Sequence, residues 1–272
     1  MVGDSTFLKT NPGARISGIY TQGQVQEEMN VMEKNQNYLL KEMTAALERD
    51  PRIDIHHWPI NIRMLEGQMV LEGIVENIAA KRVTLTVAQQ IAGENVVDNL
   101  RVNPAEHKED NELRNAVTNS LLQEPVLREC SIRVRVNGDL ITLRAPAYDP
   151  DGEIIISVKK GIVSLNGNVR SLSHLRLAEV LTWWNGGCEV VENTLHVIPP
   201  EEDNDGEITD AIRMVQEKDP LVHASQLSVS TGNGVVTLAG YVASKEEKKL
   251  AVLDAWYVPG VRDVVDRIES RI

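Results

Sequence analysis

The stretch NGVVTLAG, residues 233–240, predicts a tight turn followed by a strand. Asn-Gly supplies the positive φ angles that a two-residue hairpin turn requires, and the residues after it alternate as in a half-buried strand. Similar stretches occur three more times in the chain, so the sequence predicts four β-hairpins in all. The three others are EGQMVLEG at 66–73, NGDLITLRA at 137–145 and KGIVSLNG at 160–167.

The residues on either side of NGVVTLAG complete an α-β-β-α-β unit. Apolar residues recur at helical spacing between 208 and 215, and this helix ends at Asp219-Pro220 because proline disfavours helix in the residue before it. A capping box at 244–247 starts the second helix. The remaining predicted elements are strands at 227–230 and 235–240, the body of the second helix to about Tyr257, and a last strand at 261–268.

Two acidic, proline-containing stretches divide the chain. Residues 104–110 and 201–204 each carry three acids, and such runs are typical of solvated linkers. The sequence therefore predicts an α+β protein of three tandem small αββαβ domains, each with a three-stranded sheet and two helices. The predicted ranges are a flexible tail at 1–36, with a short helix allowed near 25–35, and domains at 37–103, 109–199 and 205–272.

The middle domain contains one hairpin too many. Measured from the helix that ends at Glu124-Pro125, the hairpin at 132–144 lies at the expected distance. However, only the hairpin at 154–169 lies next to the following helix, as the hairpins of the other domains do. The sequence leaves open which is the insertion. We expect either a sheet widened to about five strands or a hairpin donated to a neighbouring domain.

These motifs resemble the BON domain of bacterial osmotic-shock and envelope-associated proteins. That family carries Asp-Pro after helix one, a G-x-V-x-L-x-G hairpin and a Pro-Gly-Val corner, which stand here as Asp219-Pro220, Gly234–Gly240 and Pro259-Gly260-Val261. The resemblance covers 37–272, with departures in the first two domains. It implies a non-catalytic module that binds phospholipid surfaces or envelope partners, and one relative binds potassium. The departures are Ala92–Asn95 in the first corner, Glu124 for Asp, and Gly186-Gly187-Cys188 in the second corner.

Several function classes find no support in the sequence. A net charge of -12 argues against nucleic-acid binding, which needs clustered Lys and Arg. No catalytic or nucleotide-binding motif is present, so we expect no enzyme and no cofactor. The loop histidines His56, His57 and His223 have no zinc-ligand spacing, and we expect no metal site. Cys130 and Cys188 are expected to be buried apolar residues.

The middle domain carries a candidate anion-binding ladder. In the strand at 132–136 alternation sends Arg133 and Arg135 to the face opposite the apolar residues. Arg144 on the returning strand and Lys159-Lys160 in the next turn would extend this ladder. Arginine binds phosphate through two parallel hydrogen bonds, so the ladder predicts binding to phospholipid headgroups. The alternative is that these charges only solvate the outer face of a sheet.

Two aromatic pairs end the second helices of the middle and last domains. They are Trp183-Trp184 and Trp256-Tyr257. In each pair one ring is expected to face the sheet, while the other lies about 100° round the helix and reaches the surface. Exposed rings there would suit a lipid headgroup region or a protein interface. The alternative is packing against a neighbouring domain.

The sequence favours a binding module that associates with anionic phospholipid or a membrane-associated protein, in osmotic or envelope stress. The alternative is a cytoplasmic ion-responsive module of the potassium type, or a scaffold that binds proteins. No transmembrane segment and no secretory signal is apparent, so we expect a cytoplasmic protein as the sequence stands, or a periplasmic one if a signal was removed. Self-association through domains or hairpins stays open.

Overall fold

The computed structural model describes residues 22–146 and 150–271. In this part of the chain the predicted helices and strands are formed in the predicted order. The elements are α1 (Gln22–Arg49), β1 (Ile60–Leu65), β2 (Gln68–Val75), α2 (Ile78–Ala92), β3 (Val96–Val102), α3 (Asp110–Gln123), β4 (Cys130–Val136), β5 (Asp139–Arg144), β6 (Gly152–Lys159), β7 (Ile162–Val169), α4 (Leu172–Trp183), β8 (Val190–Val197), α5 (Asp205–Lys218), β9 (Leu227–Gly232), β10 (Val235–Val242), α6 (Lys245–Tyr257) and β11 (Asp263–Ser270).

The strands form three sheets, which confirms the α+β class with three tandem units. We call α1–β3 unit 1, α3–β8 unit 2 and α5–β11 unit 3. The sheets of units 1 and 3 have the orders β1-β2-β3 and β11-β10-β9, and unit 2 has the order β5-β4-β6-β7-β8. In every unit an antiparallel hairpin is followed by a helix and by a last strand that pairs parallel with the second hairpin strand. The parallel crossover provides the face on which the two helices pack.

Units 1 and 3 share a side-chain link that shows the repeat at atomic detail. The ammonium of Lys81 in α2 donates to the carbonyl of Leu100 at 2.5 Å and pairs with the carboxylate of Asp98 in β3 at 2.9 Å. Lys248 in α6 makes the same bond to Ile268 at 2.5 Å and pairs with Asp266 at 3.0 Å. Each lysine lies four residues after the N-cap of its helix. The same link at the same position indicates that unit 1 is a copy of the same fold.

The five-stranded sheet of unit 2 decides which hairpin was added. β6, β7 and β8 pair as β1, β2 and β3 do, whereas β4 joins the free edge of β6 in parallel and β5 lies outermost. The Asp110 carboxylate at the start of α3 accepts the amides of Lys160 and Gly161, as Asp205 accepts those of the turn at 233–234. The added hairpin is therefore β4–β5, which resolves the choice that the sequence left open. The spacing after α3 favoured the wrong hairpin because the added β4–β5 hairpin directly follows that helix in the chain.

The first helix is longer than predicted. α1 is continuous from Gln22 to Arg49, so residues 22–36 are helical rather than a flexible tail, and residues 1–21 lie outside the described part. The second half of α1 buries Met43 and Leu47 against its sheet, whereas Met29 and Met32 are exposed. Glu, Gln, Met and Lys are strong helix formers, and they extend the helix towards its N-terminus beyond the residues that contact the sheet.

The last glycine of the hairpin motif is required by a close approach of two backbones. Gly240 has φ of 137°, and a Cβ atom there would lie 2.1 Å from the carbonyl oxygen of Gln226. Gly167 has the same clash at 2.1 Å, and Gly73 a milder one at 2.8 Å. The obstacle is backbone rather than a flexible side chain, so a substituted chain must shift the strand itself.

The Gly240→Ala variant is expected to lose about 2–3 kcal/mol of unfolding free energy, because it combines a disallowed φ with overpacking. Urea denaturation followed by circular dichroism would measure this loss. The matched control is Gly232→Ala, where nothing lies within 4 Å of the new Cβ. Equal stability of the two variants would contradict the assigned backbone contact.

Candidate binding surfaces

The outer face of the unit 2 sheet carries two of the predicted arginines. Ile132 and Val134 are buried, and Arg133 and Arg135 lie on the opposite face of β4. α3 and α4 contact the sheet of this unit, so the arginine face is the one without a helix. Arg133 pairs with Glu153 of β6 at 3.0 Å, and this ion pair neutralises its charge. Arg135 is exposed, and its guanidinium donates to the nearby carbonyl of Gly138 at 3.3 Å.

Arg144 does not join this ladder. The register of β4 and β5 shifts between Ile132 and Arg133, where a β-bulge places Arg144 opposite the buried Ile132. An extra residue in a strand turns the following side chain to the other face. The Arg144 guanidinium donates to three carbonyl oxygens, at 3.1, 2.9 and 2.5 Å. It holds the end of α3 and the turn after it, and strict alternation could not foresee the bulge. The three carbonyls are those of Cys130, Leu122 and Leu127.

Lys159 and Lys160 lie at the turn between β6 and β7, and both are exposed. Lys159 follows the outward alternation of β6, so it shares the face of Arg135. The backbone of Lys160 has a positive φ. Its amide donates to Asp110, and its carbonyl accepts a hydrogen bond from Arg101. Across residues 22–146 and 150–271, the side chains of Arg135, Lys159 and Lys160 have no carboxylate partner. These three residues, which we call the open cationic face, are what remains of the predicted ladder.

The predicted aromatic residues lie between units rather than on the surface. Trp183 is 6% exposed and its ring stacks on Tyr257 of unit 3, with centroids 6.3 Å apart. Trp256 is 3% exposed, and Trp184 and Tyr257 are half-buried. Burial raises the pKa of Tyr257 to about 12. The stacked rings of Trp183 and Tyr257 stabilise the contact of units 2 and 3.

A buried ion pair joins all three units. Arg82 of α2 donates to Glu179 of α4 at 3.3 Å and to the carbonyl of Tyr257 in α6 at 3.2 Å. Asn193 also donates to Glu179, at 3.1 Å. Burial raises the pKa of Glu179, and the guanidinium of Arg82 opposes that rise. The pair fixes how the units meet, and nothing in the sequence pattern identified it.

A buried carboxyl group lies nearby in unit 3. Asp254 of α6 is 2% exposed, and its Oδ2 atom has no hydrogen-bond partner within the described residues. Burial raises its pKa to about 8, the nearby Asp219 adds to the rise, and Trp184 opposes it. A carboxyl group with this pKa is protonated at neutral pH, which removes the cost of burying its charge. Asp219 is the aspartate of the Asp-Pro motif, so the motif residue also acts electrostatically.

A second surface lies in the groove between units 1 and 3, and sequence reasoning missed it. This α2–α6 groove has a volume of about 640 Å³ and is lined by lysines of α6 together with apolar residues. The run KEEKK at 245–249 was the available signal, but it was interpreted only as a capping box. The residues of the groove are Arg52, Asn77, Ala79, Lys245, Lys248, Lys249, Val252, Leu253, Trp256, Val264, Asp266 and Ser270.

The loop histidines have ordinary local partners. The amides of His56 and His57 donate to Asp54 at 3.2 and 3.0 Å, and His223 bonds Glu247 through its ring at 2.8 Å. Within the part of the chain that the structure describes, no cluster of three His, Cys, Asp or Glu residues is placed to hold a metal ion. Burial raises the pKa of the Cys188 thiol to about 12, which keeps it unreactive.

The three sheets with their helices make the described part of the chain a threefold repeat of one small α+β fold. Residues 145–199 and 204–271 match the family model of the BON domain, and this match supports membership of the BON-domain family. The first match begins after β5, in agreement with the added β4–β5 hairpin. The family indicates a non-catalytic binding module. Of the helices in the described residues, none is long and apolar enough to cross a membrane.

The solved structures that are similar to this chain include two of CdsD. One is the C-terminal domain of CdsD, the structural protein of the type III secretion system of Chlamydia trachomatis, at 16% identity over 86% of this chain and 97% of that chain, with a TM-score of 0.21. The other is a further structure of CdsD, at 17% identity over 85% and 91%, with a TM-score of 0.20. No curated protein matches the sequence.

Proposed function

We propose that this protein associates with anionic phospholipid surfaces through the open cationic face of unit 2. The observation that carries this proposal is the grouping of Arg135, Lys159 and Lys160 at one end of a sheet face without helices, where no carboxylate within the described residues neutralises them. Basic side chains near an anionic membrane each contribute about 1 kcal/mol. Three such charges give weak, reversible association that salt screens.

The edge of the same sheet adds apolar contact. β5 is the outermost strand, and its Ile141 and Leu143 are 45% and 46% exposed. Ile141 lies opposite Val134 and projects to the other face of this edge strand, whereas Leu140 lies opposite Arg135 and shares its face. Such a combination suits the boundary between headgroups and acyl chains. The net charge of -12 opposes approach at long range, so binding depends on this face being presented.

The test is co-sedimentation with phosphatidylcholine vesicles and with vesicles that also contain phosphatidylglycerol, at low and moderate salt. We expect binding only to the anionic vesicles, lost as salt rises, and weakened roughly tenfold or more in the Arg135→Gln/Lys159→Gln variant. The matched control is Lys41→Gln/Arg49→Gln, which removes two exposed charges from α1 of unit 1. Absence of binding to anionic vesicles, or equal loss in both double variants, would overturn the proposal.

A further inference from the structure

The α2–α6 groove contains a cation that lacks the partner found at equivalent positions. Arg82, Arg176 and Lys249 are each the fifth residue after the N-cap of the second helix in their unit. Arg82 bonds Glu179 of another unit at 3.3 Å, and Arg176 bonds the carbonyl of Pro259 in another unit at 3.1 Å. Lys249 is exposed and has no such acceptor among the described residues. An anionic ligand would supply what the chain itself supplies at the other two positions.

Two of the cations that line the groove are not neutralised within the described part of a chain whose net charge is -12. The four lining cations are Arg52, Lys245, Lys248 and Lys249, and Arg52 is paired with Asp50 and Asp263. Lys248 is paired with Asp266 at 3.0 Å. Lys245 and Lys249, four residues apart on one face of α6, make no ion pair with any residue that the structure describes. A local positive potential in an acidic protein favours an anionic ligand.

The floor of the groove is apolar, and its size restricts the ligand. Ala79, Val252, Leu253, Trp256 and Val264 form this floor. A volume of about 640 Å³ lies within the range of small-molecule sites. An α-helix about 10 Å across would fill that volume with roughly one and a half turns, which is too short for the anchors of a bound peptide helix. The groove therefore fits a small molecule with an acyl chain better than a partner helix.

We propose that the α2–α6 groove binds a single-chain anionic amphiphile, of the fatty-acid or lysophospholipid class. Its phosphate or carboxylate head would pair with Lys245 and Lys249, and its chain would lie on the floor beside Trp256. Both units contribute to the groove, so the ligand also bridges units 1 and 3. The site is separate from the open cationic face, and it binds dissolved monomers rather than a membrane surface.

The experiment is calorimetric titration of the full chain with dodecyl phosphate below its micelle concentration. We expect one molecule bound per chain, with affinity lowered about tenfold in Lys245→Gln/Lys249→Gln, because two ion pairs are lost. Ala79→Phe, which fills the groove from the first turn of α2, should abolish binding. The Lys41→Gln/Arg49→Gln variant should bind as the original chain does. Thermal melting checks that each variant is folded.

Three results would overturn this proposal. Inorganic phosphate binding as tightly as dodecyl phosphate would indicate a simple anion site without a chain-binding floor. Dodecyl maltoside binding as tightly would indicate apolar adsorption without a role for the lysines. Equal loss of affinity in the groove and control double variants would place the site elsewhere. None of these results depends on vesicle binding. Failure of the groove proposal would therefore not affect the proposed lipid binding by the open cationic face, and failure of that proposal would not affect the groove.

Discussion

Replacing Arg82 by methionine is expected to lower the free energy of unfolding by about 3 kcal/mol, because the buried carboxylate of Glu179 loses its partner. Breaking a buried pair costs about 3–5 kcal/mol, and the low end applies because these side chains keep 16% and 14% of their exposure. Arg82 also donates to the Tyr257 carbonyl, so unit 3 loses a contact as well. Urea denaturation at neutral pH measures the loss.

Two further variants separate the charge effect from packing. Arg82→Met combined with Glu179→Met should recover most of the lost stability, since apolar replacement of a whole buried pair is often neutral. Arg63→Met, which breaks the more exposed pair with Glu72, should cost about 1 kcal/mol or less. Burial already raises the pKa of Glu179, and removal of Arg82 raises it further, so the Arg82→Met penalty should be smaller at pH 5 than at pH 8. If Arg82→Met lost no more unfolding free energy than Arg63→Met, the assigned ion pair of Arg82 and Glu179 would be refuted.

Asp254 is expected to make the protein less stable as pH rises. Its folded-state pKa of about 8 lies above the ordinary aspartate pKa of 3.8, so the folded state holds a proton that the unfolded state releases. This contribution is complete below the unfolded pKa and is lost as pH rises toward about 8. Each pKa unit is worth about 1.4 kcal/mol, which gives a loss of about 3 kcal/mol between pH 5 and pH 8. Asp254→Asn should remove that loss and be the more stable form at pH 8.

The measurement is the difference in unfolding free energy between Asp254→Asn and the original chain at several pH values. A difference is needed because burial lowers the pKa of His174, which changes stability with pH in the opposite direction. The control is Asp210→Asn, an exposed carboxylate on α5. A difference that stays constant from pH 5 to pH 8 would contradict a protonated Asp254.

The sequence predicted most elements because their signals are local. Turn glycines, the Asp-Pro stop and the N-caps each act within a few residues, and α2, α4 and α6 accordingly start at Asn77, Ser171 and Ser244. The failures have longer-range causes. Arg144 left the predicted ladder because a bulge in β5 reversed its face, and the beginning of α1 was missed because the helix starts well before its apolar periodicity does.

By itself the sequence determined the repeated α-β-β-α-β order, the α+β class and the surplus hairpin in the middle unit, since hydrophobic period and turn chemistry depend on near neighbours. Only the tertiary structure decided that β4–β5 is the added hairpin, because strand pairing joins residues far apart in the chain. It alone placed Trp183 on Tyr257, buried Arg82 with Glu179 and left Lys249 facing an open groove. Those contacts arise where three copies of one fold meet, and no single copy encodes how they pack.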